Sequence, residues 1–371
     1  MHQEQLSLRR IVFAVVAVAS LATLGSVKLT AENPHADNFV YVMTNKNPHN
    51  SVIQFQRESN GSLTWLREVP SGGSGTGATV VDPLGSQDSL VLSGDGHLVL
   101  AVNAGSNEVS VLQIENDKLR LRDKVWSGGD FPNSVTLSGD LVYVLNAKGA
   151  TPHINGFRLD PNGFLQRIPG ARVALPAGSA GANDIRFADD GTKLLVTVSG
   201  TNQILVFEVA DNGIAGAPVP QTSAGASPFG IRFGRNGIAV VSEAAGSASS
   251  YSFNATDMLE VISGAVPDTQ QASCWISLNR SATYAYVSNT GSGTISSYQI
   301  GSSGDLTLAN AIAANTGGAP IDSSLSRDSK FIYVVDSKMG RVIILRVDAG
   351  NLVPIGAVSS LPVSIQGIAA Q

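Results

Sequence analysis

Seven segments of this chain, aligned on the turns that follow them, begin with the pairs Asp88/Ser89, Asn133/Ser134, Asn183/Asp184, Phe229/Gly230, Cys274/Trp275, Ile321/Asp322 and Val363/Ser364. Brought onto one ring, these positions would be rich in oxygen, with three carboxylates and no His, Lys or Arg. Such a set suits a hard cation such as Ca2+, which takes roughly six to eight oxygen ligands. Asp88, Asn133, Asn183 and Asp184 are the candidate ligands, although no cofactor is required by any motif. Small polar residues also cap strand ends and hold channel water, which is their commoner use. Asn133, Asn183 and Asp322 would face a substrate at the same ring, and Trp275 could stack on a sugar or other ring ligand, or simply pack between sheets. Arg186 and Arg232 follow two of the pairs, each in an Ile-Arg-Phe triplet. They could meet an anion in a channel, but bonding to backbone carbonyls of a neighbouring sheet is the expected use. None of the five histidines falls on a ring position. No GxSxG, HExxH, Walker or Rossmann motif stands in a supporting context.

A ring is needed to bring those pairs together, and the chain repeats a unit that builds one. Phe39–Asn45 reads FVYVMTN, and six variants follow: HLVLAVN, LVYVLN, KLLVTVS, IAVVSE, YAYVSN and FIYVVD. Their last residues lie 58, 43, 53, 44, 46 and 47 positions apart. A period in the forties with one short apolar run per unit points to a radial array of small sheets. One unit shows the grammar. Cys274–Leu278, Tyr284–Asn289, Thr294–Ile300 and Leu306–Ala313 are four β-rich runs separated by Gly, Ser and Asn turns. The expected fold is all-β, a seven-bladed propeller of four antiparallel strands per blade. The first blade lacks an inner strand, and Leu361–Ile368 at the C-terminus would supply it and close the ring. The Gly-rich insertion Ser71–Ser86 would cap one face or serve as a linker.

Bulk properties narrow the function. With 39 glycines and 14% charged residues in 371, the chain has little material for amphipathic helices. The net charge of −5 and the lack of any basic run argue against a nucleic-acid or anionic-membrane partner. Cys274 is the sole cysteine, so no disulfide framework or CxxC metal pair can form within the chain. Arg9 and Arg10 precede an apolar run from Ile11 to Gly25, short for a span, with small residues Thr23 and Gly25 before a cleavage point. The expected organisation is a signal peptide over 1–31, a short linker over 32–38 and a propeller over 39–371. That implies a secreted or periplasmic monomer with no membrane insertion beyond the signal segment. An uncleaved N-terminal anchor is the competing reading. Asn60, Asn254 and Asn279 head glycosylation sequons that would matter only in a eukaryotic host.

The units around Gly191–Phe207, Pro228–Glu243 and Tyr284–Tyr298 resemble the seven-bladed lactonase propellers. That family includes 6-phosphogluconolactonases and carboxymuconate-lactonizing enzymes, and its second strands share the YVTN-type repeat. The resemblance implies hydrolysis or isomerisation of a sugar or small-molecule lactone. It also carries a Pro-Arg-His start to an inner strand, an Asn-Glu pair in the same blade and a Ser-Asn-Arg after a second strand. Here these read Pro228-Phe229-Gly230, Ser242-Glu243 and Ser288-Asn289-Thr290. The glutamate is kept and the Arg and His positions are not. Glu243 would then be the general base, with Asp184 and Asn183 polarising water or holding a metal. Without a cationic clamp at the ring, a phosphorylated lactone is expected to be a poor substrate. The alternative is a non-catalytic propeller that binds a glycan, peptide or protein partner.

Overall fold

In the computed structural model, residues 38–371 are described. The expected signal segment 1–31, and all of the expected linker but residue 38, lie outside the described residues. The described chain forms seven four-stranded antiparallel sheets. Its only helical pieces are two single 3-10 turns, Ser199–Thr201 and Arg235–Gly237. No helix among the described residues is long and apolar enough to cross a membrane.

Six sheets run in chain order from inner to outer strand, beginning with Leu90–Leu92, Asp130–Ser138, Ala182–Phe187, Pro228–Phe233, Ser273–Leu278 and Pro320–Leu325. The first blade is assembled from both ends of the chain. Ile368–Ala370 is its inner strand, followed by Phe39–Met43, Ser51–Arg57 and Leu63–Pro70. Closure by the C-terminus is as the repeat implied, but the closing strand is Ile368–Ala370, which shares only Ile368 with the expected Leu361–Ile368. Regular pairing begins at Val42 opposite Ile368. Before it, Gly367 bends the chain, with φ +90° and a Cβ position only 2.7 Å from Ser89 Oγ, while its carbonyl still accepts from Met43 N at 3.0 Å.

The repeated second strand is deeply buried in every blade. Phe331–Asp336 is buried at every position, while the outer strand Asn351–Val358 is largely exposed. Facing blades share an apolar core, which is why the second strands carry apolar residues on both faces. Tyr143, Leu145 and Ile154 of the third blade pack on Ile185, Leu194, Val196 and Phe207 of the fourth.

Two polar positions of the repeat lock this stack. At Tyr143, Tyr286 and Tyr333, though not at Tyr41, the tyrosine reaches the turn before the next blade's outer strand. Tyr143 Oη donates to Gly213 O at 2.7 Å and accepts from Ala215 N at 2.8 Å. Tyr333 Oη donates to Gly61 O at 3.1 Å across the junction of the seventh and first blades. Tyr286 reaches Ala349 O in the same way. The polar residue that ends the run fastens the loop arriving from the preceding blade. Asn103 Oδ1 accepts from Ser71 Oγ at 2.6 Å, Asn146 Oδ1 from Ser127 Oγ at 2.7 Å and Asp336 Oδ1 from Ala319 N at 3.3 Å. Glu243 holds the equivalent place, its Oε1 accepting from Gly225 N at 3.1 Å.

Tyr333→Phe should cost about 0.5–1.5 kcal/mol. Tyr143→Phe should cost more, about 1–3 kcal/mol, because it also strands the buried Ala215 N–H. Urea unfolding of the two variants checks this; equal, negligible losses would show that the hydroxyls do not couple the blades.

Candidate functional site

The inner strands converge on a channel whose two mouths differ. The mouth at the strand starts is filled by the end of the Gly-rich insertion, residues 81–87. Gly85 N closes a turn on Asp82 Oδ1 at 2.8 Å, which points Ser86 and Gln87 down the axis. Every other blade holds this plug. Gln366 of the first receives Leu84 N at 2.8 Å and donates to Ser86 O at 2.9 Å. Ser86 Oγ donates to Asn133 O of the third at 2.7 Å, and Asn183 Nδ2 of the fourth donates to Gly85 O at 2.7 Å. Gln87 Nε2 reaches Ile231 O of the fifth at 3.5 Å. In the sixth, Trp275 Nε1 donates to Ser86 O and Ile276 N to Gln87 Oε1, both at 2.8 Å. Ser337 of the seventh donates to Val81 O.

Below the plug lies a charged layer. Asp88, held at φ +60°, turns its carboxylate into the channel; Asp tolerates that backbone better than most residues. Arg232 grips it with two nitrogens at 2.9 and 2.8 Å, and Arg186 adds a third contact at 2.9 Å. Asp184 is fully buried beside them. Its Oδ2 accepts from Ile231 N at 2.8 Å and its Oδ1 from Ser134 Oγ at 3.2 Å. Asp322 accepts from Ser323 N at 3.1 Å through Oδ1, while its buried Oδ2 has no partner. Two guanidinium groups thus face three carboxyls. Burial, and then repulsion by Asp88, push Asp184 up to about 7 and Asp322 well above the usual carboxylate range, against the pull of Arg232.

The opposite mouth opens into a cavity of about 630 Å³ floored by Asp88, Arg186 and Arg232. Its rim is made by the turns between inner and second strands, which contribute Asp189, Arg235, Arg280 and Arg327.

Most ring residues read from the sequence therefore serve the plug or the charged layer. Asn133, Asn183, Asp184 and Asp88 are buried, and Asp88 is engaged by two guanidinium groups. Among the described residues no group of three or more His, Cys, Asp and Glu side chains is arranged to hold a metal ion. Trp275 does not offer a stacking face. Its ring is buried against Phe229 at 4.9 Å between centroids. Glu243 is wholly buried among Ser247, Ser249 and Gly225, and burial raises its pKa against those hydrogen bonds. Arg186 and Arg232 reach the Asp88 carboxylate rather than a neighbouring sheet's carbonyls; Arg232 adds only its own strand's Ile231 O at 2.8 Å. The rim arginines escaped the sequence reading, although one signal pointed to them. Arg occupies the second position of three successive turns, Gly234-Arg235, Asn279-Arg280 and Ser326-Arg327.

Residues 238–364 match the family model described as Lactonase, 7-bladed beta-propeller. No curated protein matches the chain. Among solved structures, the Pseudomonas aeruginosa periplasmic gluconolactonase PpgL superposes with a TM-score of 0.70 at 16% identity, over 89% of this chain and 98% of that one. A putative 6-phosphogluconolactonase from Bacteroides uniformis gives 0.68 at 20% identity, over 89% and 99%. A Lactobacillus plantarum protein gives 0.70 at 19% identity, over 88% and 97%. At these identities the structural likeness shows the fold.

Two of the positions that depart from the lactonase pattern lie against the plug. Gly230, where the pattern has His, leaves room for Gln87: a Cβ there would lie 2.4 Å from Gln87 Oε1. Phe229, at the Arg position, packs on Trp275, the plug's anchor. Thr290, the other Arg position, donates to Pro320 O at 2.7 Å and ties down a blade-to-blade loop.

Gly230→Ala should destabilise the fold by about 1–3 kcal/mol through this overpacking, while Ser86→Ala, which removes only one hydroxyl bond, should cost about 0.5–1.5 kcal/mol. Chemical denaturation reads both, and a harmless Gly230→Ala would mean that Gln87 is not seated tightly. The buried carboxyls predict a pH effect. A carboxyl whose folded pKa is raised stabilises the fold fully below its unfolded value near pH 4, and that stability is lost as pH rises through the folded value, near 7 for Asp184. The Tm should therefore carry a falling contribution from about pH 5 to 8. Asp322→Asn should lessen this fall and be more stable than the wild type at pH 8. An Asp322→Asn variant less stable than wild type at pH 8 would refute the assignment.

Proposed function

We propose that this chain is an exported propeller that binds a small molecule in the open mouth of its channel, without the proton-transfer machinery that opens lactones. The observation that carries the reading is the plug. It occupies the mouth where the lactonase pattern places its Arg, His and Glu, and it leaves the other mouth as the concave space. A cavity of about 630 Å³ is of ligand size rather than protein-interface size. Glu243 supports the same reading, since a carboxylate fully enclosed by two serines and a backbone N–H has no path to a substrate. Export rests on the Arg9-Arg10 start and the apolar run after it.

A second reading keeps lactone hydrolysis or isomerisation, with Glu243 or Asp184 as base and a divalent cation such as Ca2+ as a possible aid. The match of residues 238–364 to the lactonase family favours it, as does the likeness to a periplasmic gluconolactonase. Ring opening of gluconolactone and of 6-phosphogluconolactone separates the two, followed with and without chelator and calcium. The expected result is no acceleration over buffer under any condition. Turnover that Glu243→Gln or Asp184→Asn abolishes, in a variant that keeps its cooperative unfolding, would establish the enzyme reading instead.

A further inference from the structure

We propose that the open mouth is a site for a small polyanion, a molecule carrying two or more carboxylate or phosphate groups. This rests on the reading that the open mouth is the working one, and adds what it selects. Five arginines and two aspartates line the cavity, a formal +3 on a chain whose net charge is −5. Like charges gathered in one concavity repel one another, and a concavity with low-dielectric walls focuses their field on an anion. Leu90, Leu278 and Leu325 supply those walls.

The floor pairs its arginines with an oxyanion of the chain itself. Asp88 already lies in the fork of Arg232 with Arg186 alongside, at 2.8 to 2.9 Å, the paired geometry that guanidinium groups make with carboxylate and phosphate alike. Asp88 thereby occupies the inner cations and leaves the excess positive charge to the rim. Arg235 and Arg280 are exposed there, in the turns of adjacent blades, with no carboxylate within ion-pair reach among the described residues. Their backbones are fixed. Arg280 N donates to Ser329 Oγ at 2.8 Å, and Arg235 O accepts from Ile238 N at 3.2 Å. Fixed turns hold both arginines over one opening, which favours a ligand with separated charges over one with a single charge.

The absence of cationic groups at the strand starts argued against anionic ligands; the opposite mouth reverses that argument. The test is calorimetric titration of the folded chain at low salt with citrate, with pyrophosphate and with glucitol as the uncharged control. Citrate against pyrophosphate separates carboxylate from phosphate recognition. Saturable binding of at least one anion and none of glucitol is expected, weakening steeply with added salt. The double variant Arg235→Gln/Arg280→Gln should bind at least about tenfold more weakly. Arg120→Gln/Arg346→Gln, which removes the same charge from exposed positions on an outer and a third strand, should bind as the wild type does. Absence of anion binding at low salt overturns the proposal, as does equal weakening in both double variants. Either failure with a silent lactone assay removes only the polyanion assignment. Glu243-dependent lactone turnover removes the underlying reading whatever citrate does.

Discussion

Ser86 and Gln87 stand on the axis of the ring, and their segment is hydrogen-bonded to the other six blades. Inner strands of a propeller end in backbone and side-chain polar groups that point at one another across the channel. Left to themselves, Asn133, Asn183 and the Ile276 N–H would need water or a ligand, because a buried polar group without a partner is costly. One short segment meets most of that need. In doing so it ties blades that are not neighbours, as the contacts of Arg186 and Arg232 with Asp88 also do, so the ring is braced at its centre as well as around its circumference.

Room for this brace sets what the neighbouring residues can be. Gln87 requires glycine at 230, and the Ser86 carbonyl requires a donor such as the Trp275 indole. Phe229 then completes the packing on that indole. A strand start shaped for a Gln side chain cannot also present an Arg-His pair to a substrate. The blades and their closure do not depend on what fills that mouth, as expected where function resides in sites carried on a shared fold.

The brace also decides the electrostatics beneath it. Gln87 and the blade ends cover Asp184 and Asp322, so these carboxyls meet Asp88 and the two arginines away from solvent on that side. Proton retention by the buried acids is the cheapest way to balance three carboxyls against two guanidinium groups. The layer closes the channel from inside and forms the floor of the open mouth, where Arg186 and Arg232 are partly exposed.

Blade number, strand order and C-terminal closure were legible in the amino-acid sequence, because each depends on short-range pattern. FVYVMTN and its six variants state a buried strand, and the Gly and Asn turns between runs state hairpins, seven times over. The pattern's own tyrosines and terminal polar residues act between adjacent blades at a fixed offset, so they too follow the period. The roles of the ring residues do not. Whether Asn183 meets a ligand or Gly85, and whether Trp275 meets a sugar or Ser86, turns on the path of one aperiodic loop that lies 189 residues from Trp275 along the chain. The open mouth was hidden for a similar reason. Arg235, Arg280 and Arg327 read as ordinary turn residues until the ring's curvature brings their turns around one opening. Local periodicity carries the strands; only closure of the ring, which sums contacts far apart in sequence, decides which end of the channel is solid and which is charged and open.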